Sequence, residues 1–291
     1  MNNRYKYSRI VRYLLLTPAI LIGVYALIFF YLGGPGRKKV NLHPLLPSGS
    51  SLIFAHRGIA AWFPENSLES IGEAKRLGFK AVEFDLRKSA DGDFILFHDA
   101  DCRRMLGLDK SIKEITTAGL KNYPLLMNGK KTSFHVPTLE EVMNRHHRDF
   151  IFYLDMKLSS FREADQIVEV IHRYGIESNA VVACADLLFV FYIEYHHPEI
   201  LTALEGYNAG KEWTYNLMPK NLKPDFLSGF LSRVDDNHMR WLKRKDLLSN
   251  RIVYGVDSSN YIYARKKGLE NLILDYDTAS HVFNNLKLIK H

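Results

Sequence analysis

From Leu52 onward, short β-rich runs alternate with helix-patterned stretches, and few architectures can absorb that alternation. Strands are expected at Leu52–Ala55, Ala81–Leu86, Phe94–Phe97, Phe150–Met156, Ala180–Cys184, Ile200–Leu204, Asp225–Gly229, Arg251–Val256 and Asn271–Leu274. Between them, helices are expected at Ser67–Leu77, Thr138–Arg145, Glu163–Tyr174, Asp236–Leu248 and Ser259–Lys267. In the first of these, Leu68, Ile71 and Ala74 recur on one face. Strand–helix alternation of this kind points to parallel α/β, as a closed barrel or an open sheet. One connection breaks the rule. Only Arg87–Asp93 separates the second and third strands, too short for a parallel crossover. It contains Asp91-Gly92, a strong hairpin signal, so Phe94–Phe97 is expected to return antiparallel. With a two-residue turn at Asp91-Gly92, Asp85 would stand opposite His98, with Cβ atoms about 5 Å apart.

The chain has a second long-range feature. Tyr13 to Leu32 reads YLLLTPAILIGVYALIFFYL, without a charge. At 1.5 Å rise per residue this run spans roughly 30 Å, the hydrocarbon thickness of a bilayer. Pro18 and Gly23 are tolerable in such a helix, and tyrosines near both ends suit the interface. A cleaved signal peptide is the competing reading, with Gly33-Gly34-Pro35-Gly36 as the place for a cut. An uncleaved single-pass anchor fits the length better. The expected organisation is residues 1–40 as anchor with basic flanks, 41–51 as a Pro- and Ser-rich linker, and 52–291 as the folded domain. Arg4, Lys6, Arg9 and Arg12 precede the span and Arg37, Lys38 and Lys39 follow it. That excess favours an inner N-terminus and a domain on the outer, in a bacterium periplasmic, face.

The formal charge of +7 resides in those seven residues; the rest of the chain carries 32 basic against 32 acidic side chains. A nucleic-acid-binding reading therefore loses its main support. Cys102 and Cys184 are far apart and lack metal-ligand spacing.

The chemistry concentrates in four short runs. Ala55-His56-Arg57-Gly58 ends the first strand and leads to Pro64-Glu65-Asn66-Ser67. In Val82-Glu83-Phe84-Asp85 two carboxylates stand at i and i+2, on one face of a strand. Inside a fold such a pair needs a cation or a shared proton; on an open face it would be two solvated acids. All-oxygen ligation suits a hard cation such as Mg²⁺ or Ca²⁺. Phe97-His98-Asp99 and Leu154-Asp155-Met156-Lys157 also end apolar strands. Asp155 is a further oxygen donor and Lys157 a phosphate partner, unless the two form only a surface pair. Among twelve histidines, His56 and His98 stand out because a cation candidate and Arg57 lie nearby.

His56-Arg57-Gly58, Pro64-Glu65-Asn66, Glu83-x-Asp85, Asp91-Gly92, His98-Asp99 and Pro137-Thr138-Leu139-Glu140-Glu141-Val142 follow one another as in the glycerophosphodiester phosphodiesterase family. The chain resembles that family over about residues 52–280, most strongly over 52–157. The resemblance implies a TIM-like (β/α)8 barrel with its site at the C-terminal rim. It implies metal-dependent hydrolysis of glycerophosphodiesters to an alcohol and glycerol 3-phosphate, by way of a cyclic phosphate. His56 and His98 match the acid and base. Glu83, Asp85 and Asp155 match the divalent-metal ligands, Mg²⁺ or Ca²⁺. Arg57 and Lys157 match the phosphate contacts, and Asn66 a site-lining amide. The family usually has Glu where this chain has Asp155. Tyr254-Gly255-Val256-Asp257 replaces a usual Trp-Thr pair, and Leu274-Asp275-Tyr276-Asp277 a usual Thr-Asp before Pro. These departures touch the substrate pocket, so two alternatives stay open. One is lysophospholipase D action on membrane lysophospholipids; the other is a catalytically inactive, membrane-tethered binding protein.

Overall fold

The computed structural model describes residues 13, 16–27, 29 and 51–277. Among the described residues the strands are β1 (Ile53–His56), β2 (Ala81–Lys88), β3 (Phe94–Leu96), β4 (Leu126–Met127), β5 (Lys130–Lys131), β6 (Ile151–Met156), β7 (Ala180–Cys184), β8 (Leu201–Leu204), β9 (Phe226–Phe230), β10 (Arg251–Val256) and β11 (Asn271–Leu274). Eight of them run parallel in the cyclic order β1-β2-β6-β7-β8-β9-β10-β11, and β11 pairs back onto β1. The sheet is thus a closed barrel with no free edge, the TIM-type architecture.

Strand alternation sorts the side chains into two layers. Phe54, Tyr153, Ala183, Leu201, Ala203, Phe226, Ile252 and Ile273 fill the interior with their neighbours. The opposite faces of the strands, among them Val82, Phe84, Phe152, Leu154 and Val253, pack beneath the surrounding helices. Several of those helices start where the sequence supplies caps. Thr138 and Ser160 each form a reciprocal capping box, with Glu141 and Glu163, and Asp186 and Asp235 cap the helices that follow them.

The hairpin differs in register from the two-residue expectation. Leu86 faces Leu96, Arg87 faces Ile95 and Lys88 faces Phe94. The turn is longer by one residue, closed by Ser89 N–H donating to the Asp93 carbonyl at 3.1 Å and passing through Gly92 at φ 90°. Asp91 is drawn into side-chain bonds with Ser89 and Thr117 rather than serving as half of a tight turn. Asp85 therefore stands opposite Phe97, whose N–H donates to its carbonyl at 3.0 Å, and His98 lies just beyond the paired segment.

Between β3 and the helix Leu139–His146, the chain builds a small lobe with a core of its own, including Phe97, Cys102, Met105, Ile112, Leu120 and Val136. Two further helices that the periodicity did not predict, Leu187–His196 and Glu212–Leu217, follow β7 and β8. Residues 16–27 are helical, and Tyr25 Oη donates to the Leu217 carbonyl at 2.9 Å. Among the described residues no helix is long and apolar enough to cross a membrane. The remainder of the expected 13–32 span and most of the 41–51 linker lie outside the described residues.

Candidate active site

The C-terminal ends of the barrel strands bring the predicted residues together. His56, Arg57, Glu83, His98, Asp155 and Lys157 line one cavity of about 290 Å³. Asp85 and Asn66 are buried, 1% and 2% exposed, and are not among its lining side chains. Register explains the convergence: His56 pairs with Glu83, Glu83 with Tyr153, and Asp85 with Asp155, so all these side chains share the inward face.

The turn after β1 is shaped by backbone constraints. Gly58 has φ 75°, and a Cβ there would fall 2.5 Å from the Ser70 carbonyl carbon, so only glycine fits. Arg57 and Asn66 also hold positive φ, at 53° and 59°, conformations that side chains other than glycine seldom adopt. The bonds that hold them point at the acids. Arg57 N–H donates to Glu83 Oε2 at 2.9 Å, and Asn66 N–H donates to the Arg57 carbonyl at 3.0 Å. The Asn66 amide clamps Asp85, donating to Oδ2 at 2.8 Å and accepting the Asp85 N–H at 3.1 Å. Asn66 thus fixes a cavity acid from behind rather than facing the cavity.

Glu83, Asp85 and Asp155 each turn an oxygen toward a common point, all within 4.8 Å of one another. Their chemistry fits a hard divalent cation, being carboxylate oxygens with no sulfur among them. Asp85 Oδ1 is buried without a hydrogen bond, although Lys157 Nζ lies 3.0 Å away. Burial pushes the Glu83 carboxyl up; His56 pulls it back, and Asp85 and Asp155 push it further, to about 8. Burial, then the charge of Glu205, drive Asp155 well above the usual carboxylate range. Asp85 goes the other way: burial would raise it, but Lys157 and Arg57 outweigh burial and hold it down. Burial and mutual repulsion resist the ionisation of Glu83 and Asp155 here, a cost that a bound cation would relieve.

Each histidine has a carboxylate behind it. His56 Nδ1 lies 2.5 Å from Asp275 Oδ1, while its Nε2 faces Glu83 Oε2 at 3.8 Å. Burial would lower this imidazole, but Glu83 and the Asp275 hydrogen bond prevail and raise it to about 9. His98 Nδ1 lies 2.7 Å from Asp99 Oδ1, and Arg87 Nε holds its carbonyl at 2.8 Å. Arg104 ties the lobe to this arrangement, bonding Asp99 at 2.7 Å and both oxygens of Glu65 at 2.6 and 2.8 Å. Glu65 in turn accepts from Arg57 at 3.0 Å. Burial opposes the ionised Asp99, yet Arg104 and His98 hold it at about 2.

Sequence reasoning missed Glu205 and Phe230 in the cavity wall; Tyr254 and Asp275 lie in the two runs it assigned to the substrate pocket, where it gave neither residue a role. Counting by twos from the inward Ala203 and Ile273 would have reached Glu205 and Asp275. Lys157 lines the cavity and contacts both Asp155 and Asp85, rather than forming a surface pair with Asp155 alone.

Comparison with known proteins agrees with this geometry. A glycerophosphodiester phosphodiesterase of Bacillus subtilis is 29% identical over 123 residues, covering 39% of this chain and 42% of its own length. The chain spans about half the length of the curated relatives it matches. Among solved structures, an Oleispira antarctica phosphodiesterase in complex with the product sn-glycerol-3-phosphate superposes with a TM-score of 0.69 at 20% identity, covering 84% of this chain and 99% of its own. A glycerophosphodiester phosphodiesterase from Agrobacterium tumefaciens gives 0.65 at 16% identity, covering 78% and 96%. These likenesses establish the barrel fold. The family model of the glycerophosphoryl diester phosphodiesterases matches residues 56–219, more than half of the chain, and the chain belongs to that family.

Proposed function

We propose that the chain hydrolyses glycerophosphodiesters to an alcohol and glycerol 3-phosphate. The observation that carries this reading is the placement of two carboxylate-backed histidines, a buried trio of acids and two cationic side chains around one cavity. Arg57 and Lys157 would hold the phosphate oxygens, Lys157 as a point charge and Arg57 through a fork already braced by Glu65. One histidine would take the proton of the attacking hydroxyl while the other gives a proton to the departing alcohol oxygen. Asp275 and Asp99 would fix the ring orientations so that each Nε2 does the exchange. Glu83, Asp85 and Asp155 would hold a divalent cation, Mg²⁺ or Ca²⁺, which when bound stabilises negative charge developing on the phosphoryl oxygens.

The test is release of glycerol 3-phosphate from glycerophosphocholine by the purified full-length chain, compared with His56→Ala and His98→Ala. The reading expects turnover that either substitution largely abolishes. Full rates in both variants would refute the histidine roles, and tight binding without turnover would favour a binding protein.

A lysophospholipase D reading has its own support. Phe230 and Tyr254 form an aromatic wall of the cavity, their rings 4.3 Å apart, and Phe230 at the end of β9 and Trp213 and Leu217 in the helix after β8 are exposed. Together with a single-pass anchor at residues 13–32, also a proposal, such a surface suits substrates presented by a membrane, with the domain on the outer side. Turnover of lysophosphatidylcholine that rises with acyl length, without turnover of glycerophosphocholine, would favour this second reading.

A further inference from the structure

The cavity contains an acid outside the predicted trio. Glu205 follows β8 and lines the same wall as His56, Glu83 and Asp155. Its position comes from register. Asp155 on β6 pairs with Ala183 on β7, which pairs with Ala203 on β8, all on the interior face. Alternation places Glu205, two residues beyond Ala203, on that same face, one step nearer the rim. Between it and Asp155, β7 presents only the methyl group of Ala183. The Glu205 carboxylate reaches the neighbourhood of Asp155. It accepts a hydrogen bond from Tyr153 Oη at 3.0 Å, and Asp155, Lys157 and Glu83 all lie close enough to act on its carboxylate.

We propose that Glu205 is a fourth carboxylate of the cation site, supplying charge and an oxygen that Glu83, Asp85 and Asp155 do not provide. The inference rests on the reading of the trio as a cation site. A hard divalent cation takes about six to eight oxygens, and three carboxylates leave that shell short. Asp155, one methylene shorter than a glutamate, is already engaged by Lys157. Glu205 is not one of the acids within 4.8 Å of one another, but it lines the same cavity, held by the Tyr153 hydroxyl, and its longer arm would serve the same ion.

Calorimetric titration of the full-length chain with Mg²⁺ and with Ca²⁺ tests the assignment, without reference to turnover. The variants are Glu205→Gln, Tyr153→Phe and the double variant Glu205→Gln with Asp155→Glu. The expected result is a tenfold or greater loss of affinity in Glu205→Gln, within the range of about 10- to 100-fold seen when groups around a metal are removed. Tyr153→Phe should keep affinity within about threefold, and the double variant should recover part of the loss by lengthening the arm at 155. Unchanged affinity in Glu205→Gln overturns the inference and leaves the residue as an anchor for Tyr153. A wild-type chain that binds neither cation overturns instead the reading on which it rests.

Discussion

At the scale of single residues, the site depends on side chains whose freedom has been removed. Asn66 is the clearest case: both ends of its amide are spent on Asp85, and its own backbone is held in a left-handed conformation by Arg57. Asn66→Ala should therefore release Asp85 and leave a buried carboxylate with unmet partners, costing about 1–3 kcal/mol of stability. Chemical denaturation checks it, and a loss below a few tenths of a kcal/mol would contradict the clamp. Gly58 makes a stronger demand. Adding a methyl group where the nearest backbone atom is 2.5 Å away forces the turn after β1 to move, so Gly58→Ala should lower the melting temperature and displace His56 and Arg57 together. His98 differs in kind, because its ring is partly exposed at the cavity and is bonded to Asp99. His98→Ala should reduce kcat by about 10²–10⁴-fold, as the loss of a proton-transfer group does, with an unchanged melting temperature. These histidines were legible in the sequence because each ends an apolar strand beside a carboxylate or an arginine. Glu205 was not, since a lone glutamate after a strand carries no motif and only the register across three strands gives it a neighbour.

At the scale of elements, local rules predicted what local forces decide. β7, β10 and β11 begin and end where their apolar runs do, and the helix Leu139–His146 begins at its capping box. There the Glu141 carboxyl is held below its usual range: burial resists, but Lys121 and the Thr138 N–H prevail. A carboxyl lowered by folding stabilises the protein above its unfolded pKa, and the contribution is lost as pH falls through the lowered folded value. Wild type should thus exceed Glu141→Gln in stability at neutral pH, and urea melts should show the difference shrinking on acidification; a difference that is flat with pH would contradict the box. Thr138→Ala should cost about 0.5–2 kcal/mol by the same assay. The helix Leu187–His196 escaped prediction for a physical reason. Leu187, Leu188, Phe189, Val190, Phe191, Tyr192 and Ile193 are apolar on every side, so no stripe of period 3.6 emerges. The hairpin register slipped by one because side-chain bonds to Asp91 select a longer turn, and Thr117, a contributor of those bonds, lies in a distant part of the chain.

At the scale of the whole molecule, a barrel without edges fixes the cavity floor, and the small lobe after β3 contributes the rest. Arg104 is the joint, bonding Glu65 from the first barrel turn and Asp99 from the lobe. Arg104→Ala should loosen the lobe while the barrel stays folded, seen as faster amide exchange over residues 97–136 with barrel-strand protection retained. Uniform acceleration across the barrel would show that the lobe is integral to global stability instead. The same architecture gathers acids from β2, β6 and the end of β8 into one buried place, an arrangement whose charge calls for a cation. That claim underlies the proposed chemistry, so the most direct measurement is glycerol 3-phosphate release from glycerophosphocholine by the full-length chain in Mg²⁺, in Ca²⁺ and in EDTA. Release with at least one cation that stops in EDTA and returns when the ion is restored is the predicted result. Release at full rate in EDTA would contradict the cation site, and no release of glycerol 3-phosphate under any condition would contradict the proposed hydrolysis of this substrate.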